Sequence, residues 1–73
     1  RWRLLSPREQ EVTVLTCQGY TNSQIAYKLG ISQTTIKTHV RNILAKFHLH
    51  SKAELRMALK GWDFRDWDFI PHI

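Results

Sequence analysis

The strongest pattern in the chain is an apolar stripe at helical spacing in residues 32–47. Apolar side chains recur there every three to four positions, as in a helix that buries one face. The stripe consists of Ile36, Val40, Ile43, Leu44 and Phe47. The opposite face carries Thr34, Thr38, Arg41 and Ala45, with Lys37 at its flank. Because this face holds cations and no carboxylate, we interpret it as a surface that approaches phosphate, the reading helix of a helix-turn-helix DNA-binding domain.

The first helix begins at the pattern Ser6-Pro7-Arg8-Glu9. Its serine can cap the helix, proline suits the first helical position, and the glutamate can close a capping box. The pattern predicts a helix over residues 7–18 that buries Val12 and Leu15 and stops at Gly19.

Two further capping patterns place the second and fourth helices. Thr21 and Gln24 predict a helix over residues 22–29, and Ser51 and Glu54 predict one over about residues 52–60. The apolar residues of this last helix are more numerous than one buried face needs, so a second face is expected to meet another subunit.

A helix-turn-helix requires three residues whose spacing this chain reproduces. Ala26 is small enough for two helices to approach, Gly30 permits the tight turn, and Ile36 fills the angle between the helices. Together with the caps, this spacing predicts an all-α, four-helix domain over residues 1–60. Residues 61–73 form a separate aromatic tail.

Size and composition narrow the possible functions. A chain of 73 residues makes one small domain whose core is too thin for a buried enzyme pocket. No apolar run approaches about 18–20 residues, and no signal peptide is present, so we expect no membrane span. The single cysteine, Cys17, excludes an internal disulfide framework and suits a reducing cytoplasm. Because the chain starts at Arg1, we expect it to be part of a longer protein.

Positive charge is concentrated in the second half of the domain. The net charge of the chain is +5, and residues 33–60 carry +5, residues 1–32 carry +2 and residues 61–73 carry −2. This distribution suits a nucleic-acid surface on the third and fourth helices. The alternative from charge alone is that the cations only keep the domain soluble.

The ordered motifs resemble the LuxR/FixJ-type (GerE-type) DNA-binding domain over about residues 4–60. They are LSPREQEV (5–12), GYTNSQIA (19–26), LGIS (29–32), TIKTHVRNI (35–43) and AKF-x-L-x-SKAE (45–54). The resemblance implies a bacterial regulator of transcription, with the third helix (about residues 33–47) in the major groove of double-stranded DNA. It implies a cytoplasmic location, with nucleoid association when DNA is bound. It also implies a homodimer through the fourth helix on an inverted repeat, an upstream regulatory domain and RNA polymerase as a possible partner.

The resemblance assigns residues to three surfaces by position. The base-reading set is Lys37, Thr38 and Arg41, with Thr34 beside them. The phosphate-binding set is Thr21, Asn22, Ser23, Gln33, Thr35, Lys46, Ser51 and Lys52. The dimer or partner surface is Ala53, Met57 and Lys60, continued by Trp62, Phe64 and Trp67 in the tail.

The chain departs from the family pattern at four positions. Thr13 and Thr16 stand where the family tends to be aliphatic; as weak helix formers, they are expected at the edge of the first helix. Phe47 replaces a common leucine. Lys52 replaces a common arginine, so a forked phosphate contact becomes a point charge.

The tail repeats the motif Trp-Asp-Phe, at residues 62–64 and 67–69. Three interpretations remain open: the aromatic side chains fold back onto the small core, they form a protein-binding surface, or the tail is disordered. Truncation after Lys60 distinguishes them, because loss of a docked tail would lower the thermal stability of the monomer.

The four histidines and the cysteine do not form a recognisable chemical site. His39 matches a family position and is expected to pack beside the reading helix, while His48 and His50 lie in a connector. His72 lies in the tail, and no acidic or cysteine partner completes a metal site. No nucleophile–base pair or phosphate loop is present, so we expect no enzyme, no metal and no cofactor.

Two other functions remain as alternatives to a DNA-binding regulator. One is a protein-interaction module on the same scaffold that uses the aromatic tail. The other is a sigma-factor-like promoter domain, which shares the helix-turn-helix. The first alternative is tested by whether DNA affinity survives mutation of Trp62 and Trp67, and the second by what precedes Arg1 in the full chain.

Overall fold

A computed structural model describes residues 2–60 as a set of packed helices. A 3-10 turn, Trp2–Leu4, leads into α1 (Pro7–Cys17), α2 (Asn22–Leu29), α3 (Gln33–Phe47) and α4 (Lys52–Ala58). The all-α, four-helix fold predicted from the sequence is therefore confirmed. The predictions for Trp62, Phe64, Trp67 and His72 fall outside the described residues.

The first two capping boxes form as predicted. The Ser6 hydroxyl accepts a hydrogen bond from the Glu9 backbone N–H at 3.1 Å, and the Glu9 carboxylate accepts one from the Ser6 N–H at 2.9 Å. Thr21 and Gln24 repeat this exchange at 3.1 and 2.9 Å. Each pair satisfies backbone donors that the first turn of a helix leaves without partners.

Only one of the two hydrogen bonds of the third predicted capping box forms, so the prediction of a complete box at Ser51 and Glu54 is wrong. Ser51 accepts from the Glu54 N–H at 3.1 Å, but the Glu54 carboxylate accepts from the backbone N–H of His50, not from that of Ser51. Ser51 has a φ of −152°, whereas the caps Ser6 and Thr21 have φ of −66° and −77°. This rotation turns the Ser51 N–H away, so Glu54 reaches one residue further back.

Helix ends differ slightly from the predicted bounds. α1 ends at Cys17, one residue before the predicted end, and α4 ends at Ala58, two residues early, while α2 has its predicted bounds. Gly30 ends α2 with φ of 68°, a left-handed conformation that glycine adopts without a Cβ clash. The chain thereby turns from α2 directly into α3.

The core lies where all four helices meet. α3 packs against α1, α2 and α4, and α1 also contacts α2 and α4. The buried cluster contains Leu5, Val12, Leu15, Ile25, Ala26, Ile36, Val40, Ile43, Leu55 and Leu59. Packing of these side chains fixes α3 at the surface with its polar face outward.

Thr13 and Thr16 are fully buried, so their predicted edge position is wrong. The reason is that α1 contacts α2, α3 and α4, and seven of its eleven residues are buried, more than a single apolar face would bury. The Thr13 hydroxyl donates to the Glu9 carbonyl oxygen at 2.8 Å. Among the residues that the structure describes, the Thr16 hydroxyl has no hydrogen-bond partner.

We expect Thr16→Val to raise the free energy of unfolding by about 1 kcal/mol, because it removes an unsatisfied buried hydroxyl while keeping the side-chain shape. Urea unfolding of the 73-residue chain measures the change. Thr13→Val is the matched control and should not stabilise the fold, because it breaks an existing hydrogen bond. Equal stabilisation by both substitutions would contradict the role given to the Thr16 hydroxyl.

Candidate nucleic-acid interface

The third helix presents the predicted reading face to solvent. Ser32 caps it by accepting from the Thr35 N–H at 3.1 Å, and the helix continues for 15 residues, about 22 Å. Ile36, Val40 and Ile43 are buried on its inner side. The predicted base-reading residues are all exposed: Thr34, Lys37, Thr38 and Arg41.

The four exposed side chains differ in what they can offer a ligand. Lys37 and Arg41 are four residues apart and therefore neighbours on the helix surface. The Thr38 hydroxyl donates to the Thr34 carbonyl oxygen at 3.2 Å, which leaves its methyl group and oxygen lone pairs for an incoming molecule. This face of α3 thus offers a ligand the cationic donors of Lys37 and Arg41 and, beside them, the small methyl group of Thr38.

No carboxylate within residues 2–60 neutralises this face. Three carboxylates occur there, and none lies on α3. Glu9 pairs with Lys46 at 2.7 Å, Glu11 pairs with Arg8 at 3.6 Å, and Glu54 accepts from a backbone N–H. The positive potential of Lys37 and Arg41 therefore extends into solvent, where it attracts anions.

The starts of α2 and α4 lie side by side, which the sequence did not reveal. The Lys52 ammonium donates to the Asn22 side-chain oxygen at 2.8 Å across 30 residues of sequence. Burial lowers the pKa of Lys52, and the positive charge of Arg56 lowers it further. Two residues predicted to contact phosphate are thus brought together by tertiary packing.

Lys46 has a structural partner that the sequence reasoning missed. Its ammonium donates to the Glu9 carboxylate at 2.7 Å and to the Leu4 carbonyl oxygen at 3.0 Å. This ion pair ties α3 to α1 and to the turn before it. Two of the three ammonium donors are thereby used within the fold, and the phosphate contact assigned to Lys46 stays a prediction.

Glu9 is buried, and opposing influences set its pKa. Burial raises the pKa, but hydrogen bonds from Lys46 and from the Ser6 N–H, with the positive charge of Lys46, outweigh it and leave the pKa below the usual value. The ionised carboxylate therefore stabilises the folded state at neutral pH. That contribution is present above the ordinary glutamate pKa of about 4.3 and is lost as the pH falls through the lower folded-state pKa.

We expect the difference in unfolding free energy between the wild type and Glu9→Gln to shrink as the pH falls from 6 towards 3, because protonation of Glu9 removes the advantage of the charged form. Urea unfolding at several pH values measures this difference. Glu11→Gln is the control, since Glu11 is 3.6 Å from Arg8 at the surface. A difference that stayed constant over this range would contradict the ion-pair account.

The remaining predicted contact residues lie at three helices. Gln33 and Thr35 are exposed in the first turn of α3, and the Thr35 and Ser32 hydroxyls are 2.9 Å apart. Thr21 and Ser23 are exposed at the start of α2, as is Ser51 at the start of α4. The positions assigned to a subunit contact on α4 and just after it are exposed too: Ala53, Met57 and Lys60.

Two observations concern chemistry other than DNA binding. Within residues 2–60, no three histidine, cysteine, aspartate or glutamate side chains group in a way that could hold a metal ion. Burial raises the pKa of Cys17 to about 11, although Arg56 acts in the opposite direction, so this thiol is protonated at neutral pH.

Within residues 2–60, no helix is both long and apolar enough to span a membrane.

The fold and its polar α3 face define a helix-turn-helix DNA-binding domain. The family model described as "Bacterial regulatory proteins, luxR family" matches residues 3–59. The chain belongs to this family. Membership identifies it as a bacterial DNA-binding domain of transcription regulation and not an enzyme, as the sequence motifs predicted.

Curated relatives agree with this assignment. The two-component response regulator PprB of Pseudomonas aeruginosa is 47% identical over 55 residues, which are 75% of this chain and 20% of the relative. The oxygen regulatory protein NreC of Staphylococcus carnosus is 44% identical over 54 residues, which are 74% of this chain and 25% of the relative. The nitrate/nitrite response regulator NarL of Escherichia coli is 42% identical over 50 residues, which are 68% of this chain and 23% of the relative. The chain thus spans a quarter or less of the length of these relatives.

Proposed function

We propose that this domain binds duplex DNA in a sequence-specific manner by placing α3 in the major groove. One observation carries the proposal: the exposed face of α3 combines Lys37, Thr38 and Arg41, without a carboxylate, on a helix whose other face is locked into the core. The major groove is wide enough to admit such a helix, and its base edges offer acceptors and thymine methyl groups.

The chemistry of the four exposed side chains suggests separate roles. Arg41 donates two hydrogen bonds to the O6 and N7 atoms of a guanine, and Lys37 donates to the same kind of acceptor. Thr34 and Thr38 contact a thymine methyl group or a phosphate. Because the Thr38 proton already binds the Thr34 carbonyl oxygen, its methyl group is the part available for a base.

Phosphate contacts orient α3 without reading sequence. Thr21, Asn22 and Ser23 surround the start of α2, where exposed N–H groups and the positive helix end favour an anion. Lys52 lies within hydrogen-bond distance of Asn22, which supports a continuous contact with one DNA strand. The other proposed phosphate contacts are Gln33, Thr35, Lys46 and Ser51.

Dimerisation through α4 on an inverted repeat completes the proposal. Ala53 and Met57 are exposed on one side of α4, and Met57 is 70% exposed, while Leu55 is fully buried in the core. A second copy of the domain would cover the side of α4 that carries Ala53 and Met57.

Since PprB is named a two-component response regulator, we propose that this domain belongs to a larger protein with an upstream regulatory domain. We propose RNA polymerase as a further partner of that protein.

Binding selection from a random duplex library at moderate salt tests both parts of this proposal. Wild-type protein should enrich an inverted repeat, and Arg41→Ala should lose preference at one base pair of each half-site. Met57→Glu should reduce the enriched repeat to a single half-site, because it places a charge in the subunit contact. Absence of any enriched motif would refute sequence-specific reading. A repeat that persists in Met57→Glu would refute dimerisation through α4.

A further inference from the structure

An open concavity on α2 is unrelated to the reading face of α3. It has a volume of about 490 Å³ and is lined by Tyr20, Ser23, Gln24, Tyr27 and Lys28. We call it the α2 concavity. Tyr27 is 90% exposed, more than Leu4 or Met57, the other large apolar side chains found at the described surface. Such exposure of an aromatic ring beside a concave surface is typical of a binding site.

The chemistry of the α2 concavity favours an aromatic ligand with a negative charge. The Lys28 ammonium lies 4.7 Å from the centre of the Tyr20 ring, so a cation is held beside an aromatic face. Every carboxylate in residues 2–60 has a partner elsewhere in the fold. The Lys28 charge is therefore available to an incoming carboxylate, and the exposed Tyr27 ring offers a stacking surface.

Residues 61–69 of the same chain have the complementary composition. They contain Trp62, Phe64, Trp67 and Phe69 interleaved with three aspartates and one arginine. Residues 2–60 hold nine cations against three carboxylates, a net charge of +6, so an acidic segment is attracted to them.

The reach of the tail is sufficient. Lys52 at the start of α4 contacts Asn22 at the start of α2, and α4 is seven residues, about 10 Å, long. Residues 61–67 span about 23 Å when extended, so Trp67 can reach the α2 concavity. We propose that residues 61–69 dock in cis on the α2 concavity, with tail aromatic rings against Tyr20 and Tyr27 and an aspartate carboxylate against the Lys28 ammonium. This docking does not depend on the proposed DNA contacts of α3.

Tryptophan fluorescence of the 73-residue chain tests the proposal in a Trp2→Phe background, where only Trp62 and Trp67 emit. Tyr27→Ser and Lys28→Glu should each shift the emission to longer wavelength and increase quenching by acrylamide, because the rings return to water. Both substitutions are at exposed positions, so the fold should persist, and circular dichroism confirms this. Replacing Asp63, Asp66 and Asp68 by lysine should restore the emission of Lys28→Glu and not that of Tyr27→Ser.

The matched control uses Leu4, another exposed apolar side chain, to which no binding role is assigned. Leu4→Ser should leave the emission unchanged. A shift with Leu4→Ser and none with Tyr27→Ser would overturn the proposal in favour of another surface. Emission that none of the three substitutions changes would overturn it as well. A signal that weakens on dilution would place the tail on a second copy and overturn docking in cis.

Discussion

Ile36→Ala is expected to lower the free energy of unfolding by about 2–5 kcal/mol, because it empties a fully buried site. Ile36 is fully buried in the first half of α3, within the cluster that joins all four helices. The substitution removes three buried carbon atoms and leaves a cavity that the short helices around it cannot close. For a small domain this loss is a large share of a total of about 5–15 kcal/mol.

Ile31→Ala is the matched control for this substitution. It makes the same chemical change in the turn before α3, where the side chain is only partly buried. Urea unfolding should give a clearly smaller loss for Ile31→Ala than for Ile36→Ala. A loss at Ile31 as large as that at Ile36 would contradict the view that Ile36 holds the angle between α2 and α3.

Arg41→Ala is expected to weaken binding to the selected DNA site by about 1–3 kcal/mol, about 5- to 150-fold, and to relax preference at one base pair. The physical reason is the loss of a two-pronged donor that no other exposed residue of α3 can replace. Fluorescence anisotropy with labelled duplexes at fixed salt measures the affinity for the selected site and for random DNA.

Arg3→Ala is the control for charge, because Arg3 is also an exposed arginine but lies in the 3-10 turn before α1. It should change affinity for both duplexes only slightly, through the overall potential. If Arg41→Ala weakened binding to selected and random DNA equally, Arg41 would contact phosphate and not a base.

Local sequence was sufficient to predict the elements of this fold. Ser6 and Thr21 cap α1 and α2 through partners three residues away, and Gly30 adopts the left-handed turn that its lack of a Cβ allows. The apolar stripe of α3 predicted which of its faces is buried. These features depend on residues within a few positions of each other, although Ser51 and Glu54 form only one of the two hydrogen bonds of a capping box.

The same reasoning located the reading face but not its polar surroundings. Exposure of Arg41 follows from helical period alone, since Arg41 lies opposite the buried stripe, and Lys37 is exposed at the flank of the same face. The pairing of Lys52 with Asn22 joins the starts of two helices that are 30 residues apart. Local sequence patterns cover only a few neighbouring residues and cannot relate residues that are 30 positions apart. The sequence therefore predicted that Lys52 and Asn22 each contact phosphate, but not that their side chains bind each other.

Sequence by itself thus determined the helices, the turn after α2 and the polarity of α3, because short-range hydrogen bonds and period produce them. Tertiary structure decided the full burial of Thr13 and Thr16, because α1 contacts three other helices. It also decided that the Lys46 ammonium binds Glu9, 37 residues away. A charged or polar side chain takes whichever partner the packed helices bring within hydrogen-bond distance, and helix packing is a property of the whole chain.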